Sequence, residues 1–186
     1  MRLPPPLIAS MVRGMMRNLE EANVIASDNP RRTLERIEHL IAADLRREDE
    51  ITEEARLVLM DYQDQIRGAD MEYHTLLSKA KAQIAQKKGY LLSRGEEKLS
   101  REKQHDLARQ IVALFMNDDD IEYFIEEREL HPAVARAIER EMRRDAAREE
   151  KARRKVMSIK RNIPPGSGEF ETLARQFYNE FLDKEG

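Results

Sequence analysis

The chain has 186 residues, 37% of them Asp, Glu, Lys or Arg and 40% apolar, with neither Cys nor Trp. Disulfide scaffolds, thiolate metal sites and thiol nucleophiles are therefore excluded. With 33 basic against 36 acidic residues the net charge is −3, so bulk charge does not make the chain a polyanion binder and any such role needs a local patch.

Ala, Leu, Met, Glu, Arg and Lys dominate where strands would need β-branched and aromatic residues, which predicts an all-α protein. Apolar runs of a few residues fall far short of the ~20 that span a bilayer. The opening Met1-Arg2-Leu3-Pro4-Pro5-Pro6 lacks the apolar region of a signal peptide. The expectation is a soluble cytoplasmic protein without a membrane partner.

In chain order the predicted first helix carries Met11, Met15, Met16 and Leu19 at helical spacing, led in by a stiff Pro4-Pro5-Pro6. A second stripe follows at Leu34, Ile37, Ile41 and Leu45, a third at Ala55, Leu59, Tyr62 and Ile66, and a fourth at Tyr73, Leu76, Ala80 and Ile84. The same four stripes then recur as Leu107, Ile111, Val112 and Phe115; Val134, Ile138 and Met142; Ala152, Val156, Ile159 and Ile163; Phe170, Leu173, Phe177 and Phe181. A constant shift of 97 aligns residues 41–89 with 138–186, and 13 of the 49 pairs are identical. A shift of 96 aligns the upstream apolar positions, including Met15 with Ile111 and Ile25 with Ile121. The pattern predicts an internal duplication: an elongated protein of two related four-helix units, 1–89 and 98–186, joined by a linker over 90–97.

Helix ends carry their own signals. Asn29 before Pro30 is an N-cap followed by proline at the first helical position, and His131-Pro132 stands at the equivalent point of the second unit. Asp70 and Ser167 are capping residues that align with each other, Gly89 closes the first unit, and the Pro164-Pro165-Gly166 run breaks the second.

The C-terminal segment Ile159-Lys160-Arg161-Asn162-Ile163-Pro164-Pro165-Gly166-Ser167-Gly168-Glu169-Phe170-Glu171-Thr172-Leu173, followed by Phe177-Tyr178-Asn179-Glu180 and a terminal Lys-Glu-Gly, resembles the closing motif of the bacterial "domain of unknown function 507" family. The opening Met1-Arg2-Leu3 is similar to that family's start, while the usual Trp is absent and Phe170 takes the Glu-aromatic position. The resemblance implies a helical bacterial protein and supplies no activity.

No residue constellation points to catalysis or to a cofactor. His39, His74, His105 and His131 lack i, i+3 or i+4 pairing and do not recur between units, so no zinc ligand set exists. Asp118-Asp119-Asp120-Ile121-Glu122 has no glycine for a Ca²⁺ loop and reads as a solvated turn. Phosphate loops and nucleophile elbows are absent. The expectation is a non-enzyme without metal or cofactor.

Two arginine sets remain as candidate interaction residues. Arg46, Arg47 and Arg56 recur as Arg143, Arg144 and Arg153, on polar positions where an apolar stripe explains nothing; they suit a partner's carboxylate, or an internal clamp such as Arg56 to Glu72 and Arg153 to Glu169. Residues 136–161 hold 11 basic against 5 acidic side chains, with Arg136, Arg140, Arg144 and Arg148 stacked at i+4, whereas residues 39–64 hold 3 basic and 8 acidic. This stack is the candidate polyanion contact, set against a solvated helix in which Glu139 pairs with Arg143, Glu149 with Arg153 and Glu150 with Arg154. The predicted function is a protein-interaction or scaffold module with an unspecified protein partner, and the alternative is a nucleic-acid-associated protein using 136–161. Composition leaves the oligomeric state open.

Overall fold

A computed structural model describes residues 3–61, 73–93, 98–159 and 163–185. Six helices and two short strands lie in these segments: α1 (Pro5–Glu21), β1 (Ile25–Ser27), α2 (Pro30–Asp61), α3 (Tyr73–Lys87), α4 (Arg101–Met116), β2 (Ile121–Tyr123), α5 (Glu127–Met157) and α6 (Gly168–Glu185).

Helix and stripe coincide where the apolar period is unbroken. Pro4 and Pro5 open α1 as expected, and Met11, Met15 and Met16 are buried along with Leu7, Val12 and Leu19. Asn29 caps α2, its Oδ1 accepting from the Arg32 N–H and its carbonyl from Thr33. Ser167 does the same for α6 through Phe170 and Glu171. Gly89 adopts a φ of 60°, and the Tyr90 N–H returns to the Ala85 carbonyl to close α3.

Among the described residues each half shows three helices rather than the expected four. The second stripe and the start of the third, Ala55 and Leu59 in one half and Ala152 and Val156 in the other, lie on one continuous helix, 32 residues in α2 and 31 in α5, while Ile159 and Ile163 lie beyond the end of α5. Neither Gly nor Pro occurs between those stripes, and Ile51 is buried at the joint of α2, so no residue ends the helix there. Among the described residues each half therefore runs helix, strand, long helix, final helix. Nor is Pro132 a first-turn residue, because α5 starts at Glu127 and carries Pro132 inside it. Glu127 and Glu129 supply the acidic first turn instead. Tyr62, the Ile66–Asp70 break, Glu72 and the joint between α2 and α3 fall outside the described residues.

The fold is mostly helical, as expected, and adds a two-stranded antiparallel ribbon, in which Ile25 faces Tyr123, Ala26 faces Glu122 and Ser27 faces Ile121. Asn23, at φ 52°, ends α1 and turns the chain into it. Under the shift of 96 each strand is the other's counterpart, and the register maps onto itself with Ala26 and Glu122 at its centre.

The main core gathers residues from both halves. Leu7, Met15, Ile25, Ile37 and Ile41 pack in one cluster with Leu107, Ile111, Phe115, Val134, Ile138 and Leu182. Here α1 packs on α2 and α5, and α4 packs on α5 and α2. Beyond this core each long helix continues as an arm beside its final helix. The first arm buries Ile51, Ala85 and Tyr90, and the second buries Val156, Phe170 and Ala174. Of the expected linker, residues 90–93 are described, and Tyr90 and Ser93 are buried in it.

Candidate functional site

Most ionisable groups inside the fold are committed to one another. Lys103 sits on the apolar face of α4 between Leu99 and Leu107 and is fully buried. Its Nζ lies 2.6 Å from Asp44 Oδ2, 3.3 Å from Asp106 Oδ2 and 4.1 Å from the centre of the Tyr90 ring. Asp44 also accepts from the Tyr90 hydroxyl at 3.1 Å and from Gln110 Nε2 at 3.1 Å. Burial, reinforced by Asp44, pushes the Tyr90 phenol well above its ordinary value, so it remains a donor. An ammonium without water survives there because two carboxylates and a ring face replace its hydration. This cluster stitches α2 to α4.

A second cluster stands beside the base of the other arm. Asp145 on α5, itself buried, accepts from the Tyr178 hydroxyl at 2.6 Å, from Arg148 at 3.0 Å and from Lys98 Nζ. Lys98 also reaches Glu149 at 2.7 Å and lies 5.0 Å from the Tyr178 ring centre. Burial alone would lower the Lys98 pKa, but its bonds to Asp145 and Glu149 outweigh that and hold it above the usual lysine value. Tyr178 is pushed up to about 12, mainly by burial and then by Asp145. Two clefts of about 430 and 490 Å³ meet at Lys98 and Glu149. At neutral pH the cluster offers a protonated lysine, a protonated phenol and a carboxylate already engaged by three donors. Neither the lysine nor the phenol is a general base there. Among the described residues no three His, Asp or Glu side chains converge to hold a metal ion.

The predicted arginines meet different partners. Arg46 and Arg47 are exposed on α2, and the Arg47 guanidinium lies 5.6 Å from the centre of the Tyr90 ring. Arg56 pairs with Glu53 on its own helix. Arg143 pairs with Glu139 at 2.6 Å, and Arg144 lies 3.9 Å from Glu141. Arg153 does clamp α5 to α6, but through Glu171, both of whose oxygens it meets at 3.2 Å, rather than through Glu169. Glu149 turns to Lys98, while Glu150 holds Arg154 as expected. In the polyanion stack, Arg136 is exposed and Arg140 donates to Asn18 Oδ1 at 2.7 Å. Arg148 is buried against Asp145 and is not part of an exposed stripe. Lys160 and Arg161 lie outside the described residues.

Three features escaped sequence reasoning. Lys103 interrupts the Leu99-Lys103-Leu107-Ile111 face at i+4, and that interruption was its signal. The acidic run is no solvated turn. Asp118 is buried and pairs with Arg36, and Asp120 pairs with Arg32 at 2.9 Å, tying the turn before β2 to α2. Leu57, Val58 and Met60 flank the buried Leu59 and are 61%, 42% and 59% exposed, so the tip of α2 presents large apolar side chains to solvent.

Among the described residues no helix is long and apolar enough to cross a membrane. No curated protein matches the chain. A family model described as "Protein of unknown function (DUF507)" matches residues 1–186, and the chain belongs to that family.

Proposed function

We propose that the chain is a non-enzymatic protein-interaction module of the bacterial cytoplasm, built by internal duplication, that offers the outer faces of its two long helices to partners. The observation that carries this reading is the exposed apolar group Leu57, Val58 and Met60 on α2. Three large side chains within one helical turn leave apolar area in water that a partner would remove. The saturation of Asp44, Asp145 and Lys103 by neighbouring side chains also favours a scaffold over a reaction centre.

The alternative, nucleic-acid contact through α5, draws support from the exposed Arg136, Arg140, Arg143 and Arg144. One experiment addresses both. The tagged full chain and its Leu57→Asp/Val58→Asp variant are used to capture partners from native extract at two salt concentrations. The expected result is a protein partner lost by the variant while its stability stays within about 0.5 kcal/mol, as for surface changes. Recovery of nucleic acid that falls steeply with salt and is indifferent to the variant would replace this reading with the alternative. Unchanged protein recovery would remove the α2 tip from the interaction.

A further inference from the structure

Along its side toward α4, α5 borders a groove. Pro132, Ala135, Glu139, Met142, Ala146 and Glu149 follow one another at alternating steps of three and four residues, so they form one stripe on the helix. All six line two adjoining clefts, whose other wall is made by residues between Lys98 and His105. The first cleft, of about 200 Å³, lies at the Pro132 end and shares Arg101, Gln104 and Glu139 with the second, of about 430 Å³. At ~1.5 Å per residue the stripe is ~26 Å long, the span of about eight residues of extended chain.

Charge in the groove is unevenly settled. Glu139 holds Arg143 at 2.6 Å, and Asp145 and Glu149 both hold Lys98. Every acid of the two clefts is therefore engaged. Arg101 and Arg136 stand on opposite walls of the first cleft, both exposed, and among the described residues neither side chain makes a hydrogen bond or an ion pair. Arg101 also opens α4, where the positive end of the helix dipole disfavours a cation. A carboxylate between the two guanidiniums answers both charges, and the planar arginine fork suits that group. The first cleft is smaller than the ~300 Å³ at which ligand pockets begin, so it takes an acidic side chain and not a nucleotide. Beyond it, Leu99, Met142 and Ala146 give the second cleft an apolar part.

We infer that this groove binds a peptide segment of a partner protein, with an Asp or Glu side chain between Arg101 and Arg136 and apolar side chains beyond it over Met142 and Ala146. This rests on the reading of the chain as a protein-interaction module. It adds a contact apart from the tip of α2 and names the chemistry of what fills it.

Selection of displayed linear peptides of about twelve residues on the full chain tests it, the length allowing for the groove and its ends. Affinities of the enriched peptides are then read by fluorescence anisotropy. The expected result is a family with one Asp or Glu followed by apolar residues. Arg101→Glu and Arg136→Glu should each weaken the enriched peptide by about tenfold or more, as should Ala146→Gln, which narrows the second cleft. Lys79→Glu makes the same charge change at an exposed position of α3 and should leave the affinity within about twofold. A peptide with Lys in place of its acid should bind the chain carrying both arginine changes better than the parent chain. Circular dichroism of each variant controls for folding.

Enriched peptides without an acid overturn the inference, as do a selection without binders and binding that survives both arginine changes. An oligothymidylate that binds through the same two arginines more tightly than any selected peptide also overturns it and assigns the site to phosphate. The partner-capture result at Leu57 and Val58 is independent of this selection. A captured partner without a groove peptide removes only the groove, and a groove peptide without that capture removes only the α2 contact.

Discussion

Asp44 on α2 and Glu141 on α5 occupy equivalent places in the two halves, both are buried, and each faces the opposite half of the chain. Asp44 faces Gln110 on α4, and Glu141 faces Gly14 on α1, which is the counterpart of Gln110 under the shift of 96. The short carboxylate meets a long amide, and the longer carboxylate meets a residue with no side chain. Length is traded across the contact, so both helix pairs pack closely with different residues. Charge is handled differently too. Asp44 receives the Lys103 ammonium, whereas Glu141 receives the Asn18 amide at 2.9 Å and lies 3.9 Å from Arg144. Two aligned positions thus make similarly close helix contacts with different chemistry.

The largest expected effect breaks the Asp44 side. Asp44→Ala leaves Lys103 buried without its nearest carboxylate, and urea denaturation should register a loss of about 3–5 kcal/mol. Changing Lys103→Met together with Asp44→Leu should cost much less, because no charge is then stranded. If Asp44→Ala costs less than about 1 kcal/mol, the pair is not the tie between α2 and α4 described above.

A smaller effect is expected where the second half relies on space. A Cβ at Gly14 would stand 2.3 Å from the Glu141 carboxyl, so Gly14→Ala forces that side chain aside. Helix propensity would favour the alanine by about 1 kcal/mol, and the clash should outweigh this for a net loss of about 1–2 kcal/mol by the same denaturation. Combining Gly14→Ala with Glu141→Ala should recover part of the loss. A stabilised Gly14→Ala would break the comparison.

The smallest effect is read at Glu141 by changing pH. Burial raises the Glu141 pKa, with Arg144 and Asn18 opposing it only in part. A raised value in the folded state means that its stabilising contribution is complete below the ordinary glutamate value and is lost as pH climbs through the folded one. Glu141→Gln should therefore melt higher than the parent at about pH 7, and the difference should shrink toward about pH 4. A difference that grows on acidification would show that the arginines, not burial, control Glu141.

Much of this was legible in the chain. The stripes at Met11–Leu19 and Leu34–Leu45 mark the core because a 3.6-residue period leaves one face to bury. The caps at Asn29 and Ser167 and the stop at Gly89 follow from local backbone chemistry. The ribbon was hidden, because three residues such as Ile25–Ser27 carry no period of their own and form a strand only when Ile121–Tyr123 lies beside them. Arg148 looked like one of four equivalent arginines. Its burial depends on Asp145, which also takes Tyr178 from α6 and Lys98 from the segment before α4.

By itself, then, the order of residues determined where the apolar helix faces lie, the caps at Asn29 and Ser167, the resemblance between halves and the opposite charge of the two arms, since all of these depend on neighbours within a few turns. Only the tertiary structure decided that Ile25 and Ile121 share a ribbon, that Lys103 is an interior cation, and that Leu57 and Val58 face water while Leu59 does not. Each of those depends on which surface of another element comes within about 4 Å, a quantity that periodicity does not encode.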